Sequence, residues 1–336
     1  MQATPVAYAC ILLLAVAPLP AQVKAQYTLY SCLTSTKEYF VGAKLSPSGL
    51  FMKAPSGEWT HQGYNHPFLT GLDYDPADPG ILYVSAGNAL IRMSDQGRNW
   101  KFLTGSDVTE LRDVAVDPNT PGTIYYAWCH GIRVTHDRGA TWQELSAGLH
   151  RKFTEALRVD RAHAGVLLAG GEEGVFRSDD AGKTWTIAGA AGFQITRIEQ
   201  SPHDACRWLA ATQQGGLFNS TDCGKTFENV GRVGVNRNLY AIAFDPTEPK
   251  RIAVAGWGPG VMVSEDGGAT WLARNAGLPR PEVISVIFDP VHAGRLYASV
   301  NDDALYVSND AGKTWAKDGL ELSAVYRLKF VPEANK

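Results

Sequence analysis

The chain has 336 residues, 45% of them hydrophobic and 19% charged. That balance excludes a long disordered protein and leaves room for one large domain or two ordinary ones. With 31 Lys and Arg against 34 Asp and Glu the formal charge is −3, which excludes a general electrostatic pull toward nucleic acid or anionic lipid.

The N-terminus carries an apolar run from Val6 to Leu19, followed by small-residue exits at Ala21 and Ala25. It reads as a secretory signal peptide over residues 1–25, although no Lys or Arg precedes it. The alternative is an N-terminal membrane anchor, which the short run disfavours. No other apolar stretch approaches membrane length. The expectation is an exported, periplasmic or extracellular protein with no transmembrane segment in the mature chain. Residues 26–36 read as an N-terminal lead and residues 37–336 as the folded domain.

From there the chain repeats. Six segments share one pattern: Met93–Trp100, Thr135–Trp142, Ser178–Trp185, Ser220–Phe227, Ser264–Trp271 and Ser308–Trp315. A worn copy ends at Trp59, with Ala54 in the place of the Asp. The final aromatics recur every 41 to 44 residues, the length of one four-stranded unit. In each unit a first strand ends in Asp-Pro or a relative, as at Asp75, Asp117, Asp245 and Asp289. Proline stops the strand by removing a ladder donor. Second and third strands follow across a Gly-, Asn- or Asp-rich turn, and a fourth begins near the box aromatic. The reading is all-β: a seven-bladed β-propeller of four-stranded antiparallel blades. Repeat one has a second strand at Glu38 to Ala43, a third at Gly49 to Lys53 and a fourth from Trp59, but no first. The spare strand from Ala324 to Pro332 is expected to fill that place and close the ring.

The repeated segments resemble the Asp-box, or BNR repeat, Ser-x-Asp-x-Gly-x-Thr-Trp, over residues from about Phe40 to the C-terminus. Its aspartates here are Asp95, Asp137, Asp180, Asp222, Asp266 and Asp310. A carboxylate in such a hairpin accepts N–H groups of its own turn, Gly supplies positive φ, and Trp fills space between sheets. The reading is structural rather than catalytic or calcium-binding, since the boxes lie one per blade and lack a calcium loop's ligand count.

Asp-box propellers fall into several families. Sialidases imply six blades and an Arg-Ile-Pro strand, which is absent. Xyloglucanase-type glycoside hydrolases imply two propellers with catalytic Asp residues facing across a gap; this chain has one set of repeats. Sortilin-type ectodomains imply ten blades and a Cys-rich module. The size and blade count are most similar to photosystem II assembly-factor-like propellers, which implies a non-enzymatic binding or scaffold role. The alternative is a carbohydrate-active enzyme, glycoside hydrolase or sialidase-like, with a site at the channel mouth.

Propellers of this kind bind on the face opposite the boxes. The residues expected there are His61, Tyr64, His66, Trp128, His130, Arg151, Glu172, Glu173, Gln213, Gln214, Arg237, Trp257, Arg280, Asp302 and Asp303. Trp128 and Trp257 suit a sugar ring or a peptide strand, or else cap blade ends. Glu172 and Glu173 offer an acid–base pair or face water. His61, His66, His130 and His150 show no metal-ligand spacing with Cys or carboxylates. No cofactor, metal or catalytic residue is expected. The partner is a protein or glycan, and the chain is expected to be a monomer. Cys206 and Cys223, counted outward from the turn near Gln213, fall opposite one another and are expected to form a disulfide in an oxidising compartment. Cys32 and Cys129 have no such geometric case and read as free thiols or an unresolved pair.

Overall fold

The computed structural model describes residues 26–36, 47–231 and 233–333, and not the side chain of Tyr64. The signal-peptide segment lies outside the described residues. Among the described residues twenty-eight strands form seven antiparallel sets of four. The innermost strands of blades two to seven are Leu69–Asp75, Asp113–Val116, Thr154–Val159, Ile195–Gln200, Val235–Phe244 and Val283–Phe288; that of blade one is Ser323–Pro332. Each packs against the next around the whole circle.

Closure follows the expected route in one respect and departs from it in another. Ser323–Pro332 supplies the innermost strand of blade one, so no sheet edge is left unpaired at the joint. Its partner, the second strand of that blade, is Tyr27–Ser35 rather than residues 38–43. Residues 37–46 lie outside the described set. The expected N-terminal lead is therefore part of the propeller. Its register runs from Tyr27 opposite Pro332 to Ser35 opposite Ser323, which buries Leu29, Cys32 and Leu33.

Local chemistry ends five of the seven innermost strands. Asp75, Asp117, Asp160, Asp245 and Asp289 each accept the backbone N–H two residues on, at 2.7–2.9 Å. This Asx turn reverses the chain where proline or its substitute blocks further pairing. The apolar cores lie between blades. One such cluster joins Tyr125, Leu145, Leu157, Leu167 and Trp185 from blades three and four.

The box hairpins staple these interfaces. Asp180 Oδ1 accepts Ser178 Oγ and Thr184 N–H at 2.8 and 2.9 Å, and Oδ2 accepts Thr184 Oγ1 at 2.6 Å. Asp137, Asp222, Asp266 and Asp310 repeat this pattern. The indole N–H groups of Trp142, Trp185 and Trp315 reach back to carbonyls of Leu103, Leu145 and Arg274. The box at Asp95 departs from the expected equivalence. Met93 and Asn99 replace the two hydroxyl residues, so its carboxylate pairs with Arg98 at 2.6 Å. Trp100 is then 43% exposed, against 4% for Trp185.

Candidate functional site

Antiparallel strands put the box hairpins and the Asp-Pro turns at one end of the ring and the second-to-third turns at the other. Apolar surface gathers at the other end. Phe68, Phe193, Val235, Trp257, Leu322 and Tyr326 are six of the eleven exposed large hydrophobics among the described residues, and all six stand there. Phe68 and Tyr326 meet edge to face at 5.8 Å, as do Tyr240 and Trp257. Arg112 lies over both Phe68 and Phe153, at 6.0 and 4.8 Å.

A repeated backbone feature aims side chains at this mouth. Six innermost strands carry one extra residue near their start: Thr70, Glu155, Thr196, Tyr240, Ile284 and Tyr326. In blade three Arg112 holds the corresponding place, donating its N–H to the Ala127 carbonyl at 2.9 Å. A bulge turns a side chain out of the pleat, so these seven residues ring the channel mouth. Thr70 and Thr196 lock the ring by donating to the carbonyls of Leu111 and Leu239 in the following blade, at 2.8 and 2.6 Å. Arg112 and Glu155 pair across it at 3.5 Å. Burial pushes the Glu155 carboxyl up, and Arg112 opposes this.

Below the ring the channel is charged. Asp113 accepts from Arg158 at 2.7 Å and from Arg327 at 3.0 Å; Arg158 reaches Glu199 at 2.7 Å, and Arg197 meets Glu199 at 2.8 Å. Lys329 pairs with Asp73 at 3.0 Å. Burial pulls the Arg158 pKa down, but Glu199 and Asp113 more than offset it, and the group stays firmly protonated. Toward the box end the channel holds a cavity of about 390 Å³ walled by Tyr74, Arg161 and Phe244 among others. This cavity opens at the end opposite to the face the sequence singles out.

The expected face residues separate into three groups. Trp257 is exposed on that face, with Arg237 against Gly258 beside it. Arg151 pairs with Glu172 at 3.2 Å, and its N–H donates to Glu173 at 3.3 Å. With His150 they line a surface depression of about 760 Å³. The two glutamates therefore serve one arginine and are not set as an acid–base pair. Arg280 donates to the Asn301 carbonyl; Asp302 accepts from Asn301, and Asp303 from Lys317.

A second group is built into the framework. Trp128 is buried, packed edge-on by Tyr126 and His130 and covered by the Arg133 guanidinium at 4.6 Å. His66 is buried and hydrogen-bonded to Asn88 at 3.0 Å. His61 belongs to the outer strand Trp59–Asn65, opposite Phe51, rather than to an inter-blade loop. The side chain of Tyr64 lies outside the described residues.

The third group joins two blades. Gln213 and Gln214 extend the second strand of blade five, Trp208–Gly215, instead of forming its turn. Gln213 pairs with Asn238 and Gly215 with Val235 on the innermost strand of blade six, which also contains Arg237. Two blades thus share a continuous sheet. Sequence reasoning missed Arg112, Glu155, Tyr240 and Tyr326, because a one-residue bulge leaves no mark on an apolar pattern.

No family model matches the chain. A xyloglucanase from Hypocrea jecorina is 29% identical over 127 residues, which cover 35% of this chain and 15% of that protein. Among solved structures, the GH74 enzyme of Niastella koreensis superposes with a TM-score of 0.70 at 19% identity, over 80% of this chain and 51% of that one. The GH74 xyloglucanase of Xanthomonas campestris gives 0.62 at 20% identity, over 87% and 47%. YCF48 bound to a D1 peptide gives 0.58 at 16%, over 75% and 82%. The chain spans a small part of the curated relative and about half of the two GH74 enzymes. At these identities the likeness is one of fold: this chain is similar to the propellers of GH74 xyloglucanases and of YCF48.

Proposed function

We propose that this chain is an exported, non-enzymatic binding propeller, and that it holds an extended protein segment across the face opposite its boxes. The observation that carries the reading is the gathering of exposed aromatics around a mouth ringed by bulge residues. Aromatic anchors beside an arginine are the usual energetic centre of a protein contact. Asp73, Asp113, Glu155 and Glu199 are each paired with a cation, whereas glycoside hydrolysis needs two carboxyls free to exchange protons and attack. YCF48, of similar fold, binds a D1 peptide, which favours a peptide over a glycan.

The test is a pull-down from envelope extract and a peptide array, run with the wild type and with a Trp257→Ala/Tyr326→Ala variant. Binding that falls at least tenfold in the variant supports the reading. Equal capture by both proteins overturns it. So does release of sugars from xyloglucan by the purified chain, which would restore the hydrolase alternative. Export is checked by sequencing the mature N-terminus, expected at Gln22 or Gln26.

A further inference from the structure

Cys206 and Cys223 form a disulfide at the box end of blade five. The position is a repeated one. In blades three to seven a backbone N–H from the box donates to the carbonyl at the head of the second strand: Arg138 to Gly122, Ala181 to Gly165, Cys223 to Cys206, Gly267 to Lys250 and Ala311 to Gly294. Among these pairs blade five has cysteine on both sides, and Cys223 holds its place at φ 64°.

A third ligand comes from the neighbouring blade. His163 lies in the turn that follows the innermost strand of blade four, and one of its ring nitrogens and the two sulfurs lie within 4.8 Å of one another. His163 Nδ1 is held at 3.0 Å by Asp160 Oδ2. Asp160 is fully buried and fixed by the N–H groups of Ala162 and His163 and by the Gln200 amide. An anchored carboxylate of this kind keeps the proton on Nδ1 and leaves the lone pair on Nε2, as it does behind metal-binding histidines. The same Asp–His arrangement recurs at Asp289 and His292, at 2.9 Å, where no cysteine belongs to a ligand cluster. The histidine is thus a framework feature of two blades, and only the junction of blades four and five sets it beside two sulfurs among the described residues.

We propose that the junction of blades four and five is a redox-gated site for a zinc-class cation, with Cys206, Cys223 and His163 as ligands. Two thiolates and one imidazole are the donor set that zinc prefers, with a fourth position left to water. Tetrahedral zinc needs donors about 3.5–3.8 Å apart, given bonds of roughly 2.3 Å to sulfur and 2.0 Å to nitrogen, so the cluster needs small side-chain shifts only. Oxidised, the two sulfurs are joined and hold no thiolate. A dithiol reductant transfers two electrons and two protons, breaking the S–S bond, forming two thiols and itself becoming a disulfide. Zinc then displaces the two thiol protons to solvent. Arg177, itself paired with Asp179, donates to the Cys223 carbonyl beside the site. The site resides on the box side of the ring and is independent of the peptide face proposed above.

The test titrates Zn²⁺ alone into the full mature chain, oxidised and after reduction by a phosphine that is not itself a thiol. The expected result is one equivalent bound by the reduced protein and none by the oxidised. His163→Ala should weaken binding at least tenfold, Cys223→Ser should abolish the tight site, and His292→Ala should leave it unchanged. Equal binding by oxidised and reduced protein overturns the proposal. Unaltered affinity in His163→Ala overturns it as well. Circular dichroism of the reduced protein completes the test: a lost β-sheet signal overturns the proposal, because the site requires the folded junction.

Discussion

Arg327, on the strand that closes the ring, donates to Asp113 on blade three at 3.0 Å, across 214 residues of sequence and past the whole of blade two. Blade two makes way with Gly71. A Cβ there would stand 2.9 Å from Asp113 Oδ1 and 2.5 Å from Ser85 Oγ. Arg327 also donates to the Thr70 carbonyl at 3.2 Å, so one side chain ties three blades together inside the channel.

Asp113→Ala should therefore be far more damaging than an ordinary surface change. It would leave Arg327 and Arg158 as buried cations with one counter-charge fewer. Breaking a buried pair this way costs roughly 3–5 kcal/mol. Denaturant unfolding checks this, and a loss below about 1 kcal/mol, the scale of an exposed pair, would count against the network.

Removing residues 324–336 should abolish soluble folding. The deletion strips Tyr27–Ser35 of its partner and opens blade one on its inner side. It also removes Arg327 and Lys329, leaving Asp73 and Asp113 short of cations. A truncated protein that is soluble and melts at the wild-type temperature would show that closure does not hold the ring.

What the sequence made legible was whatever repeats locally. The boxes, the Asp-Pro ends and the blade count depend on residues a few positions apart, and the same local physics recurs in each unit. In blade one only the second strand departs from the expectation, because Tyr27–Ser35 lies further upstream of Gly49 than the spacing of the other units implies. The channel network was hidden because Asp113, Arg158, Glu199 and Arg327 converge from four strands remote in sequence. His163 was missed beside the cysteines for the same reason: it belongs to the preceding blade. Trp128 and Trp257 read alike as turn aromatics, and only packing by Tyr126 and Arg133 separates the buried one from the exposed one.

Asp180→Ala and Asp95→Ala should part company. The Asp180 carboxylate holds two hydroxyls and one N–H, and hydrogen bonds to a charged group are worth about 1.5–3 kcal/mol each where buried. This hairpin is half exposed, so a net loss of roughly 1–3 kcal/mol is expected. Asp95 grips only an exposed arginine, and its removal should cost less than about 0.5 kcal/mol. Thermal melts of the two variants decide it; equal losses would mean that the box hydroxyls at Ser178 and Thr184 contribute nothing.

Acid should reveal the boxes collectively. Hydrogen bonds from Thr184 and Thr314 hold the carboxyls of Asp180 and Asp310 down to about 2. At Asp222 burial acts in the opposite sense, yet Thr226 and Ser220 still bring it to about 2. Asp137 and Asp266 are lowered as well, by the hydroxyls and N–H groups of their own hairpins. An unfolded aspartate titrates near 3.9. Below that pH the unfolded chain binds protons that the folded one does not yet take up, so stability falls with falling pH. The contribution of these five groups is complete above about pH 4 and is lost progressively as pH drops through about 2. The melting temperature should thus hold across mildly acidic pH and then drop steeply below about 4. In Asp180→Ala the drop should be shallower, by the share of one carboxylate. A variant whose acid profile overlays the wild type would mean that the Asp180 carboxylate is not held in its charged form by the fold.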